Sequence, residues 1–89
     1  MPAPVMPAIE IYTRPFCGFC SHAVSLLREK GLAFTEIESG FDPARRQEMV
    51  QRSGRTTFPQ IFVGGVHIGG CDELVALDDA GKFDAMLNA

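Results

Sequence analysis

The sequence predicts an α/β fold, a small four-stranded mixed sheet with helices on both faces. Three observations lead there. The apolar pattern switches at Cys17 from the alternation of a strand to the spacing of a helix. A second strand-like run follows that helix and completes a strand–helix–strand unit, which is expected to be parallel and right-handed. Two further apolar runs are joined by Gly64-Gly65, a two-residue hairpin signal. A chain of 89 residues has room for one core and not for two.

Taken in order, residues 1–7 alternate proline with small apolar residues and read as a flexible arm, leaving 8–89 as a single domain. Ala8 to Tyr12 places Ile9 and Ile11 on one face of a buried strand. Thr13 to Phe16 is a loop stopped by Pro15. From Cys17 onward Cys20, Ala23, Val24 and Leu27 share a helical face, and Gly31 supplies the stop expected past a helix C-terminus. Ala33 to Glu38 is a second, less regular strand. Asp42-Pro43 opens the next helix, the carboxylate capping and the proline filling the first turn, and Gly54 ends it. Gln60 to Val63 and Val66 to Ile68 form the hairpin. Gly69-Gly70 then precedes a helix through Leu74, Val75 and Leu77 that closes at Gly81, with Phe83, Met86 and Leu87 in a last helical turn.

Composition removes several function classes. The hydrophobic share of 46% and charged share of 21% are those of a globular chain. A net charge of −3 leaves no broad basic surface for nucleic acid. Arg45, Arg46, Arg52 and Arg55 do cluster in sequence, as a small anion site or as an exposed basic helix face. No run reaches membrane-spanning length, and the first residues lack the pattern of a signal peptide. Three cysteines, two of them in one motif, are unlike the framework of a secreted mini-protein, so a reducing cytoplasm is expected.

The chemistry centres on Cys17-Gly18-Phe19-Cys20 at the mouth of the first helix. Helix N-termini carry unpaired N–H groups and partial positive charge, which favour thiolate over thiol. Such placement lowers a thiol pKa from ~8.5 to somewhere between ~3.5 and ~7.5. Cys17 is thus expected to project to solvent as the nucleophile, with Arg14 adding charge beside it. Cys20, one turn on and on the apolar face, is the less acidic resolving thiol. Half a zinc site is the alternative, but only Cys71, His22 and His67 remain as Cys or His ligands, without a second close pair. Both histidines read as surface residues and Cys71 as a semi-buried small residue.

Two further segments carry more than one reading. Thr57-Phe58-Pro59 is an ordinary strand start, or a cis-proline corner whose Phe58 backbone pairs with an extended peptide. Gly70-Cys71-Asp72 is a glycine turn into a helix, or a site where bare backbone and a helix N-terminus take a carboxylate while Asp72 takes an ammonium. No metal site is expected from these residues.

Taken together, Ile11-Tyr12-Thr13-Arg14-Pro15, Cys17-Gly18-Phe19-Cys20, the stretch Ser53 to Phe62 and Ile68-Gly69-Gly70-Cys71-Asp72-Glu73-Leu74 resemble the glutaredoxin family, from Ile9 onward. The resemblance implies a thioredoxin fold, a cis peptide before Pro59, and glutathione as reductant and cosubstrate. It places the cysteinyl part of glutathione on Phe58 beside Thr57 and Pro59. The γ-glutamyl end falls on Gly70, Cys71 and Asp72, and the glycine carboxylate on Arg14 and Arg46, with Phe19 alongside. Arg14 stands where many relatives have lysine, and arginine keeps the charge role.

The activity so implied is glutathione-dependent reduction of protein disulfides and glutathione mixed disulfides, with Cys17 as nucleophile and Cys20 as resolving thiol. Its partners would be glutathione, disulfide-bonded or glutathionylated proteins and, indirectly, glutathione reductase, with the chain a monomer. Gly18-Phe19 departs from the Pro-Tyr of many dithiol members. It keeps open a second role, a glutathione-linked dimer holding a [2Fe–2S] cluster through Cys17. A thioredoxin-like reductant fed by a flavoprotein is a third reading, disfavoured by Arg14, Arg46 and Asp72.

Overall fold

The computed structural model describes residues 7–88, so the expected arm, Pro7 apart, lies outside the described residues. Its elements are β1 (Ile9–Thr13), α1 (Gly18–Glu29), β2 (Thr35–Glu38), α2 (Pro43–Ser53), β3 (Gln60–Val63), β4 (Val66–Gly69), α3 (Cys71–Asp79) and α4 (Lys82–Leu87). The sheet order is β2-β1-β3-β4. β1 runs parallel to β2, with Glu10 opposite Thr35, whereas β1–β3 and β3–β4 are antiparallel.

Strand alternation sorts the core into two layers. Ile9 and Ile11 on β1, and Ile61 and Val63 on β3, meet Ala23, Val24 and Leu27 of α1, Leu74 of α3, and Phe83 and Leu87 of α4. Tyr12 and Phe62 point the other way, onto Met49 of α2 with Ile37 of β2. Helices therefore cover both faces, as expected. Each fully buried Leu, Ile or Phe side chain contributes about 1.5–3 kcal/mol of transfer free energy, and this anchors the helices against chain entropy. β2 is shorter than the predicted Ala33–Glu38, and only Ile37 is buried. At the sheet edge it has a single partner strand, which explains its weak alternation.

Local chemistry sets the element ends. Asp42 Oδ1 accepts from the Ala44 and Arg45 amides at 3.1 and 3.2 Å, with Pro43 in the first turn of α2. After α1, Gly31 at φ 71° lets its N–H reach Arg28 O (2.9 Å) and that of Leu32 reach Leu27 O (3.1 Å). Gly64 and Gly65, at φ 58° and 81°, make the tight turn between β3 and β4. Lys30, at the end of α1, joins Asp78 at 2.6 Å and Asp84 at 3.0 Å, tying α1 to α3 and α4.

The four sequence-clustered arginines do not gather into an anion site. Arg45 pairs with Asp42 and Arg46 donates to the Gly40 carbonyl. Arg52 forks onto Glu10, donates to Tyr12 Oη at 2.9 Å and lies 4.0 Å over the Phe62 ring, while Arg55 pairs with Glu73. Helical spacing and the turn at Gly54 send the four side chains to different partners. β1–α1–β2, followed by α2 and the β3–β4 hairpin with its covering helix, is the thioredoxin fold.

Candidate active site

The β1–α1 loop delivers Cys17 as the N-cap of α1, with φ −118° and ψ 105°. The helix thus begins one residue later than the cysteine itself, and the cap position places sulfur where a capping oxygen would ordinarily sit. The Cys20 N–H donates to Cys17 Sγ at 3.1 Å. That contact brings one orphan helix amide onto the sulfur, the arrangement that stabilises thiolate once the pair is reduced. Cys17 and Cys20 are paired as a disulfide, with Cα atoms 5.2 Å apart.

Cys17 is more enclosed than its expected solvent-facing position: it is 7% exposed against 4% for Cys20. The reason is tertiary. Across the site the Phe58–Pro59 peptide is cis, and the Phe58 carbonyl oxygen lies 3.9 Å from Cys17 Sγ. Arg14 does lie beside the cysteines, but its guanidinium curls back to donate to the Pro15 carbonyl at 3.2 Å. The loop packs closely on the β2–α2 connection behind it, where a Cβ on Gly40 would stand 2.6 Å from Pro15 Cδ.

A groove of about 150 Å³ runs from Phe19, in the first turn of α1, to the start of α3. Phe19, Thr57, Phe58, Pro59, Gly70, Cys71 and Asp72 line it, so seven of the sequence-predicted binding residues converge. Arg14 and Arg46 do not line it. Arg14 instead borders a depression with Cys20, Ser21 and Arg28. Arg46 flanks the Phe58 side, its guanidinium 5.9 Å from that ring.

At the groove's far end α3 presents its first amides, which have no intrahelical partner. Gly70 is the N-cap, and a Cβ there would stand 3.1 Å from the Pro59 carbonyl oxygen, so the bare backbone permits close approach of the two segments. Cys71 is buried, and burial, then the carboxylates of Asp72 and Glu73, push its thiol pKa up. Both effects favour the protonated thiol over the nucleophilic thiolate at this position.

Residues not foreseen complete the groove. Glu73 Oε1 accepts from the Gly70 N–H at 3.0 Å and from Arg55. Those contacts, the Gly70 amide foremost, hold its carboxyl below the usual range. The i, i+3 spacing of Gly70 and Glu73 at a helix start was the available signal. Gln60 is fully buried; its Nε2 donates to Thr57 O at 3.0 Å and to Thr57 Oγ1 at 3.1 Å. His22 is exposed as expected, whereas His67 is only partly exposed. It is half-buried against Phe62, its Nε2 2.6 Å from Gln60 Oε1, and burial, reinforced by Arg55, lowers its pKa. The residues that enclose it lie on β3 and were not evident from its own neighbours.

Four strands in this order, with a Cys-x-x-Cys pair at the mouth of α1 facing a cis-proline, define a thioredoxin-fold thiol–disulfide oxidoreductase. The glutaredoxin family model matches residues 9–68. Glutaredoxin 3 of Escherichia coli K12 is 50% identical over 82 residues, covering 92% of this chain and 99% of its own. The solution structure of glutaredoxin from Brucella melitensis superposes with a TM-score of 0.81 at 55% identity, over 92% of this chain and 89% of that one. The crystal structure of a buckwheat glutaredoxin–glutathione complex gives a TM-score of 0.83 at 30% identity, over 92% and 77%. The chain belongs to the glutaredoxin family.

Proposed function

We propose that this enzyme uses glutathione as its thiol cosubstrate, with the groove as the binding site and Cys17 as the nucleophile. The supporting observation is the convergence of the Thr57–Phe58–Pro59 corner and the α3 N-terminus on one groove, with Phe58 O 3.9 Å from Cys17 Sγ. An extended γ-glutamyl tripeptide fits that layout. Its middle residue pairs with the Phe58 backbone, its amino-acid end meets the amides of α3 and the Asp72 carboxylate, and Phe19 covers its side. Its remaining carboxylate is taken by Arg46 at the Phe58 edge, joined by Arg14 once Arg14 releases the loop carbonyls.

In the reaction, Cys17 thiolate attacks the glutathionyl sulfur of a mixed disulfide. The Cys17–glutathione bond forms, and the substrate thiolate leaves and takes a proton from water. A second glutathione thiolate then attacks that bond, forming oxidised glutathione and restoring Cys17 thiolate. With a protein disulfide, Cys20 displaces the substrate from Cys17, and two glutathiones reduce the resulting bridge. Glutathione reductase enters only by regenerating glutathione. The setting is the cytoplasm and the working form a monomer.

The test compares Cys17→Ser with Cys20→Ser on a glutathionylated peptide. Cys17→Ser is expected to lose activity by at least about 10³-fold, because serine is a far weaker nucleophile at neutral pH. Cys20→Ser is expected to keep turning over this substrate and to fail on protein disulfides. An active Cys17→Ser enzyme overturns the assignment.

The cluster reading is motivated by Gly18, which stands where many dithiol relatives have proline. Among the described residues no three His, Cys, Asp or Glu side chains gather, so a cluster needs two copies of Cys17 and two glutathione thiols. Anaerobic purification decides this: a colourless monomer that resists reconstitution removes that reading.

A further inference from the structure

Gln60 has no freedom in how its amide is turned. The Thr57 carbonyl only accepts, so the Gln60 NH2 must face Thr57, 3.0 Å from the carbonyl oxygen and 3.1 Å from Oγ1. Its carbonyl oxygen therefore faces His67 Nε2 at 2.6 Å. An amide oxygen cannot donate, so the proton of that bond belongs to His67, which is held as the Nε2–H form. His67 is fixed in turn by its strand: it stands opposite Phe62 in the β3–β4 ladder, with ring centroids 5.1 Å apart. No buried side-chain N or O among the described residues lacks a partner. Thr57 is the residue just before Phe58, and both line the groove.

We propose that His67 is a positioning residue of the active site: its Nε2–H holds Gln60, and Gln60 holds Thr57, so that the Phe58 backbone is presented to the bound tripeptide. The proposal deepens the glutathione reading of the groove and rests on it. His67 touches no substrate. Its contribution is to fix in advance the backbone groups that the substrate pairs with, which lowers the ordering cost of binding. Loss of the bond therefore weakens capture of the glutathionyl group and leaves the exchange step at Cys17 intact.

The experiment uses the full chain with His67→Phe, which keeps a ring against Phe62 and removes the donor. His67→Gln, which returns an amide N–H near the former Nε2, is its rescue partner. Initial rates are measured on a glutathionylated peptide and on the same peptide blocked with 2-mercaptoethanol. His67→Phe is expected to raise KM for the glutathionylated peptide about fivefold with kcat within about twofold, the effect of losing one hydrogen bond on the binding path. His67→Gln is expected to stay within about twofold of the unsubstituted protein in both constants. A long-range proton–nitrogen spectrum of the unsubstituted protein is expected to show the Nε2–H tautomer.

An unchanged KM in His67→Phe, an equal loss in both variants, or an Nδ1–H tautomer overturns the proposal. If His67→Phe does not fold, the tautomer and the retained KM of His67→Gln decide. An unsubstituted protein that treats the two peptides alike overturns the glutathione reading itself, whatever the variants do.

Discussion

Gly69→Ala is expected to be among the most damaging single-methyl changes in this protein. Gly69 ends β4 at φ +118°, a conformation that L side chains rarely adopt. An added Cβ would also stand 2.7 Å from Glu73 Cγ and 2.8 Å from Glu73 Cβ. The backbone conformation alone costs about 1–3 kcal/mol. Displacing Glu73 also breaks its bond from the Gly70 N–H, 3.0 Å long. A bond to a charged group of this kind contributes about 1.5 kcal/mol, whereas the half-exposed Arg55 pair adds less than about 1 kcal/mol. The total is about 3–5 kcal/mol, which in a domain of this size lowers Tm by about 15–25 °C. The control is Gly65→Ala, at φ +81° with no atom within 4 Å, which suffers the backbone cost without the collision. Urea and thermal unfolding of both variants measure the difference. Glu73→Ala combined with Gly69→Ala should recover about 1 kcal/mol relative to additivity, because the Cγ contact and the Gly70 hydrogen bond are then lost only once, while the contact with Cβ at 2.8 Å remains. Equal losses at Gly69 and Gly65, or strict additivity with Glu73→Ala, would refute the reasoning.

Two further outcomes follow from the ionisable groups. The folded protein holds Glu73 below its ordinary value of 4.5, chiefly through the Gly70 amide and then Arg55. The unfolded chain therefore takes up this proton first, so the stabilisation is present above about pH 4.5 and lost as pH falls through the folded value. Urea unfolding between pH 5.5 and pH 3 should show this loss, and Glu73→Gln should flatten it; an unchanged slope contradicts the assignment. In the reduced protein, iodoacetamide should label Cys17 at least about tenfold faster than Cys71 at pH 7, because burial and two carboxylates keep Cys71 protonated. Mass spectrometry of the labelled peptides reads the ratio, and equal labelling would contradict it.

Much of the architecture was legible because the relevant forces act within a turn or two of chain. Ile9 and Ile11 alternate, Cys20 to Leu27 share a helical face, and Asp42-Pro43 and Gly31 mark helix ends by their own hydrogen bonds and φ angles. The Cys17–Cys20 pair was equally plain, since one helical turn suffices to bring two sulfurs together. The weak prediction of β2 has the same origin: an edge strand buries little and carries little pattern.

What the chain order could not specify is which polar groups meet after the layers close. Phe58 comes to Cys17 from 41 residues away, Arg52 reaches Glu10 over 42 residues, and Arg55 reaches Glu73 over 18 residues. His67 looked like a surface residue because its burial comes from Phe62 and Gln60 on the neighbouring strand, not from its own neighbours in sequence. By itself the sequence determined the elements, their caps and the dithiol, because these depend on local spacing and backbone geometry. Only the tertiary structure decided how enclosed Cys17 is, which arginines stand apart from the groove, and how Thr57 is held. Those properties belong to surfaces that exist only when distant segments exclude water between them.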